Sequence, residues 1–144
     1  IANVFGRSLS WVQKRNDLKY SPKSKRAEIA FQEQCVVPAL QRMDHTDIEQ
    51  CIRIGKHGLR QEADIVSVLH GELWVTEVKI ETKRGHALQT AIGQLALHYM
   101  AIREEMQIEA RLCIALPSTA DIDTITIERL KRHYNIMTLL VQED

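Results

Sequence analysis

An α/β fold with a mixed central sheet flanked by helices is predicted by three features of the sequence. Apolar, strand-like runs occur in the middle and at the end of the chain, and stretches of helical period separate them. Residues 62–80 read as a hairpin, so a three-stranded meander comes before two crossovers that pass through helices. At 144 residues the chain fits one domain, with a core that needs no disulfide or metal staple.

Taken in order, the stretch to Tyr20 has a weak pattern, with "LSWVQKR" a candidate short helix. Ser21-Pro22 marks a helix start, because proline suits the first helical position. "KSKRAEIAFQEQCVVPALQRM" then reads as a helix with Ile29, Phe31, Val36, Val37 and Leu40 apolar, and Pro38 should kink or end it. "IEQCIRI", 48–54, alternates Ile48, Ile52 and Ile54 with polar neighbours and reads as a strand, followed by a turn between Gly55 and Gly58. Strands 62–69 and 72–80 meet at His70-Gly71. Helix 86–106 carries a core stripe of Leu88, Ile92, Leu95, Tyr99 and Ile102. A short strand over 111–116 stops at Pro117, "DTITIERLKRHY" is a helix capped by Asp123, and "IMTLLV" is a last buried strand. The expected division is a basic N-terminal segment, 1–20, and a single domain, 21–144.

A chain that is 44% hydrophobic and 26% charged has an ordinary globular composition. No apolar run approaches the roughly 20 residues of a membrane span, so no membrane partner is expected. Cys35, Cys51 and Cys113 are odd in number and form no CxxC pair; with no signal peptide at the start, a reduced cytoplasmic setting is expected. The net charge of zero argues against a globally polyanion-binding surface. Locally, however, Lys14, Arg15, Lys19, Lys23, Lys25 and Arg26 face a single acid, Asp17. That patch suits backbone phosphates and equally suits a solvated face; Lys19, Lys23, Lys25 and Arg26 are its candidate nucleic-acid contacts. The six histidines lack HxxxH or HxH spacing, which argues against zinc. Trp11 and Trp74 read as packing residues, and Lys131, Arg132 and His133 suit the negative end of a helix dipole.

The hairpin raises the chemical question, because its far end carries Glu62, Asp64, Glu77 and Lys79 on otherwise apolar strands. With His70-Gly71 as a two-residue loop, Leu69 pairs with Glu72, Asp64 falls opposite Glu77, and Glu62 falls opposite Lys79. Strand alternation then projects all four from one face. Opposed carboxylates, with Cβ atoms roughly 4.5–5.5 Å apart, repel unless a cation sits between them. Lys79 supplies part of that charge and a hard divalent ion would supply the rest, whereas a wet strand end is the plain alternative. Glu62 is read as an ion-pair partner of Lys79.

Asp64, followed thirteen residues later by Glu77-Val78-Lys79, resembles the D…ExK signature of the PD-(D/E)XK nuclease superfamily. The resemblance is to its Holliday-junction-resolvase-like and RecB-like branches. It spans about residues 24–141 and implies a restriction-endonuclease-like αβββαβ core, here with an added αβ unit. A helical Glu in that family maps onto Glu28 of "KRAEIAF", and a helical Gln maps onto Gln94 of "IGQLALHY". Two features depart from the pattern. Ala63 stands where a proline is usual, and Tyr99 follows Gln94 by five residues where the RecB-like motif has four. Five residues turn a helix by about 140°, so Tyr99 is assigned to the core and His98, at the fourth position, is a weaker candidate.

The resemblance implies a Mg2+-dependent nuclease acting on DNA, with Mn2+ able to substitute and RNA still open as substrate. Asp64, Glu77 and the backbone carbonyl of Val78 would be ligands, and Glu28 would join directly or through water. Lys79 would orient or deprotonate the attacking water, and Gln94 would bond the lysine or a phosphate. The alternative is a non-cleaving nucleic-acid-binding subunit of a recombination, repair or restriction complex. A homodimer or partner subunits fit either reading.

Overall fold

The computed structural model describes residues 3–4, 7–8, 13–14, 23–55, 61–80 and 85–143. Strands β1 (Asn3–Val4) and β2 (Arg7–Ser8) form a small antiparallel ladder. Strand β3 (Gln13–Lys14) pairs with Arg53 and Ile52 at an edge of the main sheet. These two residues fall in the expected short helix and are strand instead; the rest of that stretch lies outside the described residues. Their edge pairing outweighs a weak local helical pattern.

Helix α1 (Lys23–Phe31) runs through a π-helical turn, Gln32–Val36, into α2 (Val37–Arg42). Pro38, at the start of α2, neither ends nor breaks this run. The wider turn just before it, closed by the Val37 N–H on the Gln32 carbonyl, takes up the disturbance. Strand β4 (Thr46–Ile54), β5 (Gln61–Leu69) and β6 (Glu72–Val78) follow as the meander. Helix α3 (His86–Met106), β7 (Ala110–Pro117), α4 (Thr124–Tyr134) and β8 (Ile136–Val141) complete the order. Asp123 caps α4, its carboxylate accepting the Thr126 N–H at 2.7 Å.

The main sheet has the order β3-β4-β5-β6-β7-β8, antiparallel through β6 and parallel from β6 to β8. Two apolar clusters cover its faces. One joins Val66, Leu73, Val75, Leu112 and Ile114 to Ala91, Leu95 and Ile102 of α3 and to Leu130 of α4. The other joins Ile65, Val78, Ala115 and Val141 to Phe31, Val36 and Leu40. Both crossovers therefore lie on one face and the interrupted first helix lies on the other.

His70 and Gly71 both have positive φ, 51° and 76°, as a type I′ turn requires. The expected hairpin register follows: Leu69 pairs with Glu72, and the ladder runs to Ile65 and Thr76. Two differences from the sequence reading bear on the site. β6 ends at Val78, so Lys79 and Ile80 lie just beyond it. The Ile48, Ile52 and Ile54 stripe is also split, with Ile48 in the second cluster and Ile52 and Ile54 in the first. Cys51, at φ 57°, resets the alternation between them. Ala63, opposite Ile52, accordingly packs in the first cluster, and Glu62 lies opposite Arg53. The three cysteines are free thiols, and burial pushes that of Cys113 up to about 12.

His45 is buried, bonds the Ser67 hydroxyl at 2.8 Å and meets the Trp74 ring edge-on at 5.5 Å. Desolvation, with a smaller repulsion from His70, holds its pKa below the usual 6.5. The folded imidazole thus stays neutral where the unfolded one protonates, so its contribution to stability is complete above about pH 6.5 and is lost as pH falls toward the folded value. Thermal melts of wild type and His45→Gln should therefore converge between pH 7 and 5, with wild type losing more. Parallel melting curves would contradict this.

Candidate functional site

The sequence-predicted acids sit where the hairpin stops pairing as a ladder. In a two-residue hairpin the flanking pair, Leu69 and Glu72, exchanges both backbone hydrogen bonds, as does every second pair after it. Ser67/Trp74 and Ile65/Thr76 fall at the positions of such pairs in the register, and the next would be Ala63/Val78. There the Val78 N–H instead donates to the Asp64 carboxylate, at 2.8 Å. A side chain takes over a bond that the ladder would have given to a carbonyl, which fixes the Asp64 carboxylate beside the residue that follows Glu77.

The main chain of Asp64 is held from the other side. Its carbonyl accepts a hydrogen bond from Gln32 Nε2 at 3.0 Å, and the same nitrogen donates to Gln50 Oε1 at 3.1 Å. Gln32 is 1% exposed and lies in the π turn, and its Nε2 is 3.9 Å from Cys51 Sγ. Cys51 stands between Gln50, opposite Ile65, and Ile52, opposite Ala63, in the left-handed conformation. Strained backbone of this kind persists where surrounding contacts over-determine it. Here the glutamine supplies those contacts.

Glu77 shares the face of Leu73 and Val75, which lies under α3. It is 1% exposed, and its Oε1 accepts a 2.7 Å hydrogen bond from Nε2 of His98, itself 1% exposed. Desolvation pushes the His98 imidazole down to about 4, against a smaller upward pull from the Asp64 charge. At neutral pH His98 is therefore uncharged. That Asp64 acts on His98 at all places both carboxylates within electrostatic reach of one imidazole.

The remaining candidates lie around this centre. Lys79 is half-buried just past β6, its N–H on the Ala115 carbonyl at 3.0 Å. Gln94 lies one helical turn before His98 on α3, and its Oε1 is buried without a hydrogen-bond partner among the described residues. Glu28 is half-buried one turn before Gln32. Arg26 is exposed on α1; Lys23 and Lys25 fall on its first turn with side chains outside the description, and Lys19 lies outside the described residues. Trp11 also lies outside them. Tyr99 packs against the first core cluster and donates to Glu109 at 2.6 Å, in keeping with a core assignment. A cavity of about 340 Å³ between α3, β7 and α4, lined by Tyr99, Met100 and Tyr134 among others, shares none of these site residues.

Among the described residues, no group of three His, Cys, Asp or Glu side chains is placed to hold a metal ion. Two carboxylates nonetheless suit Mg2+, which is usually bound through one or two carboxylates, with waters and substrate phosphates completing its shell. One oxygen of Asp64 accepts the Val78 N–H and one of Glu77 meets His98, so both carboxyl groups are held by the fold.

Two solved structures share this architecture. The crystal structure of AF1548, a protein of unknown function, superposes with a TM-score of 0.57 at 15% identity, covering 76% of this chain and 56% of that one. A repair endonuclease from Pyrococcus abyssi superposes with a TM-score of 0.53 at 15% identity, covering 92% of this chain and 50% of its own. The fold is restriction-endonuclease-like. The chain spans about half the length of these structures. No family model matches it, and no curated protein matches its sequence. No helix among the described residues is long and apolar enough to cross a membrane.

Gln32 and His98 are the site-building residues that the sequence reading missed or underrated. For His98 the signal was its position four residues after Gln94; for Gln32 it was a polar residue one turn after Glu28 on a helix otherwise read by its apolar members. Replacing Gln32 by Leu should cost about 1–3 kcal/mol, since it takes a donor from the buried Asp64 carbonyl. Urea denaturation measures the loss, and an unchanged midpoint would show that the carbonyl does not depend on Gln32.

Proposed function

We propose that this chain is a Mg2+-dependent nuclease that hydrolyses phosphodiester bonds in DNA, with Mn2+ able to substitute. The observation that carries the reading is the Asp64 carboxylate fixed on the N–H of the residue after Glu77, on a fold shared with a repair endonuclease. Asp64, Glu77 and the Val78 carbonyl would hold the ion, and Glu28 would join them directly or through water. A bound ion supplies Lewis acidity toward a phosphoryl oxygen and a lowered pKa for water.

The protein's own groups do the rest. Lys79, directly after the ligand pair, orients the attacking water and offsets negative charge as it develops on the phosphoryl group. Gln94 presents a buried amide oxygen, which can only accept a hydrogen bond; a lysine ammonium offers one and a phosphate diester does not. Of its two candidate partners, Lys79 therefore suits that oxygen. Lys19, Lys23, Lys25 and Arg26 contact backbone phosphates without reading sequence.

Cleavage of a panel of linear, branched and single-stranded DNA and RNA, with Mg2+ and Mn2+, tests the activity. Asp64→Ala, Glu77→Ala and Lys79→Ala should each lower cleavage about 100-fold or more. The lysine variant should keep the Mn2+-induced rise in thermal stability and Asp64→Ala should lose it. Wild type that binds DNA and never cuts would favour a non-cleaving subunit, and full cleavage in excess chelator would exclude the metal.

The basic segment has its own test. Changing Lys23, Lys25 and Arg26 together to Ala should weaken binding to all sequences alike. It should also flatten the dependence of log affinity on log salt by up to about three contacts' worth. An unchanged salt slope would return these residues to a solvated face.

A further inference from the structure

Building on the assignment of Asp64 and Glu77 as the ion-holding pair, we infer that His98 is a positioning residue, which fixes the Glu77 carboxylate by a hydrogen bond to one of its oxygens. A carboxylate has only acceptors, so the proton in the 2.7 Å contact belongs to the imidazole and sets it as the Nε2–H tautomer. Both side chains are 1% exposed, so water does not compete for the bond.

The two partners differ in rigidity. Glu77 carries a flexible three-torsion side chain at the end of a strand. His98 is locked on the buried stripe of α3, between Leu95 and Ile102, which pack into the main core. The helix therefore sets where the Glu77 oxygen lies. An imidazole also differs here from Lys or Arg, whose permanent charge at that distance would compete with the divalent ion. Donors behind metal-binding side chains typically contribute about 10–100-fold in metal affinity.

The test is Mn2+ binding by calorimetry to the intact chain, for wild type, His98→Gln and His98→Leu, with chelator-treated thermal stability measured in parallel. Leucine fills the site without a donor and should weaken Mn2+ binding about 10–100-fold, whereas glutamine, whose amide N–H donates, should stay within a few-fold of wild type. A merely structural histidine would lower the stability of both variants and leave Mn2+ affinity unmoved, and that result overturns the inference. Wild type that binds no Mn2+ removes the nuclease reading itself; wild type that binds it, with a leucine variant that binds equally, removes the role of His98 alone. If the leucine variant does not fold, the His98 ring in 15N-labelled wild type decides. Its Nε2-bound proton should be visible and should shift as Mg2+ saturates the protein, and an unmoved resonance would overturn the role.

Discussion

The site depends on one substitution of partners, the Val78 N–H given to a carboxylate where a regular ladder would give it to a carbonyl. A backbone N–H buried in a sheet must be paired, and the cost of leaving it unpaired is comparable to a lost hydrogen bond. Asp64 meets that demand with its side chain. An acid that would be a liability in a strand interior thus becomes the residue that lets the hairpin open while keeping its hydrogen bonds. Everything around it serves the same opening. The type I′ turn sets the register, the left-handed Cys51 interrupts the β4–β5 ladder beside Asp64, and Gln32 takes the carbonyl set free there.

The two acids are held from opposite layers. Asp64 is fixed by the sheet and by the interrupted first helix, and Glu77 by α3. Because each layer packs on its own apolar cluster, the relative position of the carboxylates reflects the packing of the whole sandwich. Small core changes far from the acids would be felt at the site, since close-packed interiors transmit strain.

Much of this was readable in the sequence because it follows from short-range rules. Element order, the His70-Gly71 turn and its register, the limits of α3 and β8, and the Asp123 cap all rest on local pattern. The register alone brings Ile65 opposite Thr76, the last pair before Asp64 and Glu77. What was not legible depends on conformations that the residue types do not announce. Cysteine is no signal for positive φ, so the reset between Ile48 and Ile52 could not be read. Nor does Pro38 say whether a helix ends, bends or widens; the π turn is a tertiary solution, with Gln32 reaching the strand. His98 sits in an apolar stripe, where a neutral imidazole and a packing residue look alike. The basic segment falls mostly outside the described residues, and its role stands on composition alone.

The π turn has a consequence for how this chain can vary. A helix that holds one residue more than its α-helical spacing needs can be restored to regular winding by deleting a single residue, usually a mild change. Here regular winding would leave the helices on either side nearly in phase, because the wide turn absorbs the extra residue without turning the rest. What matters is which residue goes: Gln32 holds the Asp64 carbonyl and Val36 packs in the second core cluster, whereas Glu33 and Gln34 are exposed. Sequence drift can shorten this segment at its exposed positions, but not at the two residues that reach the strand and the core.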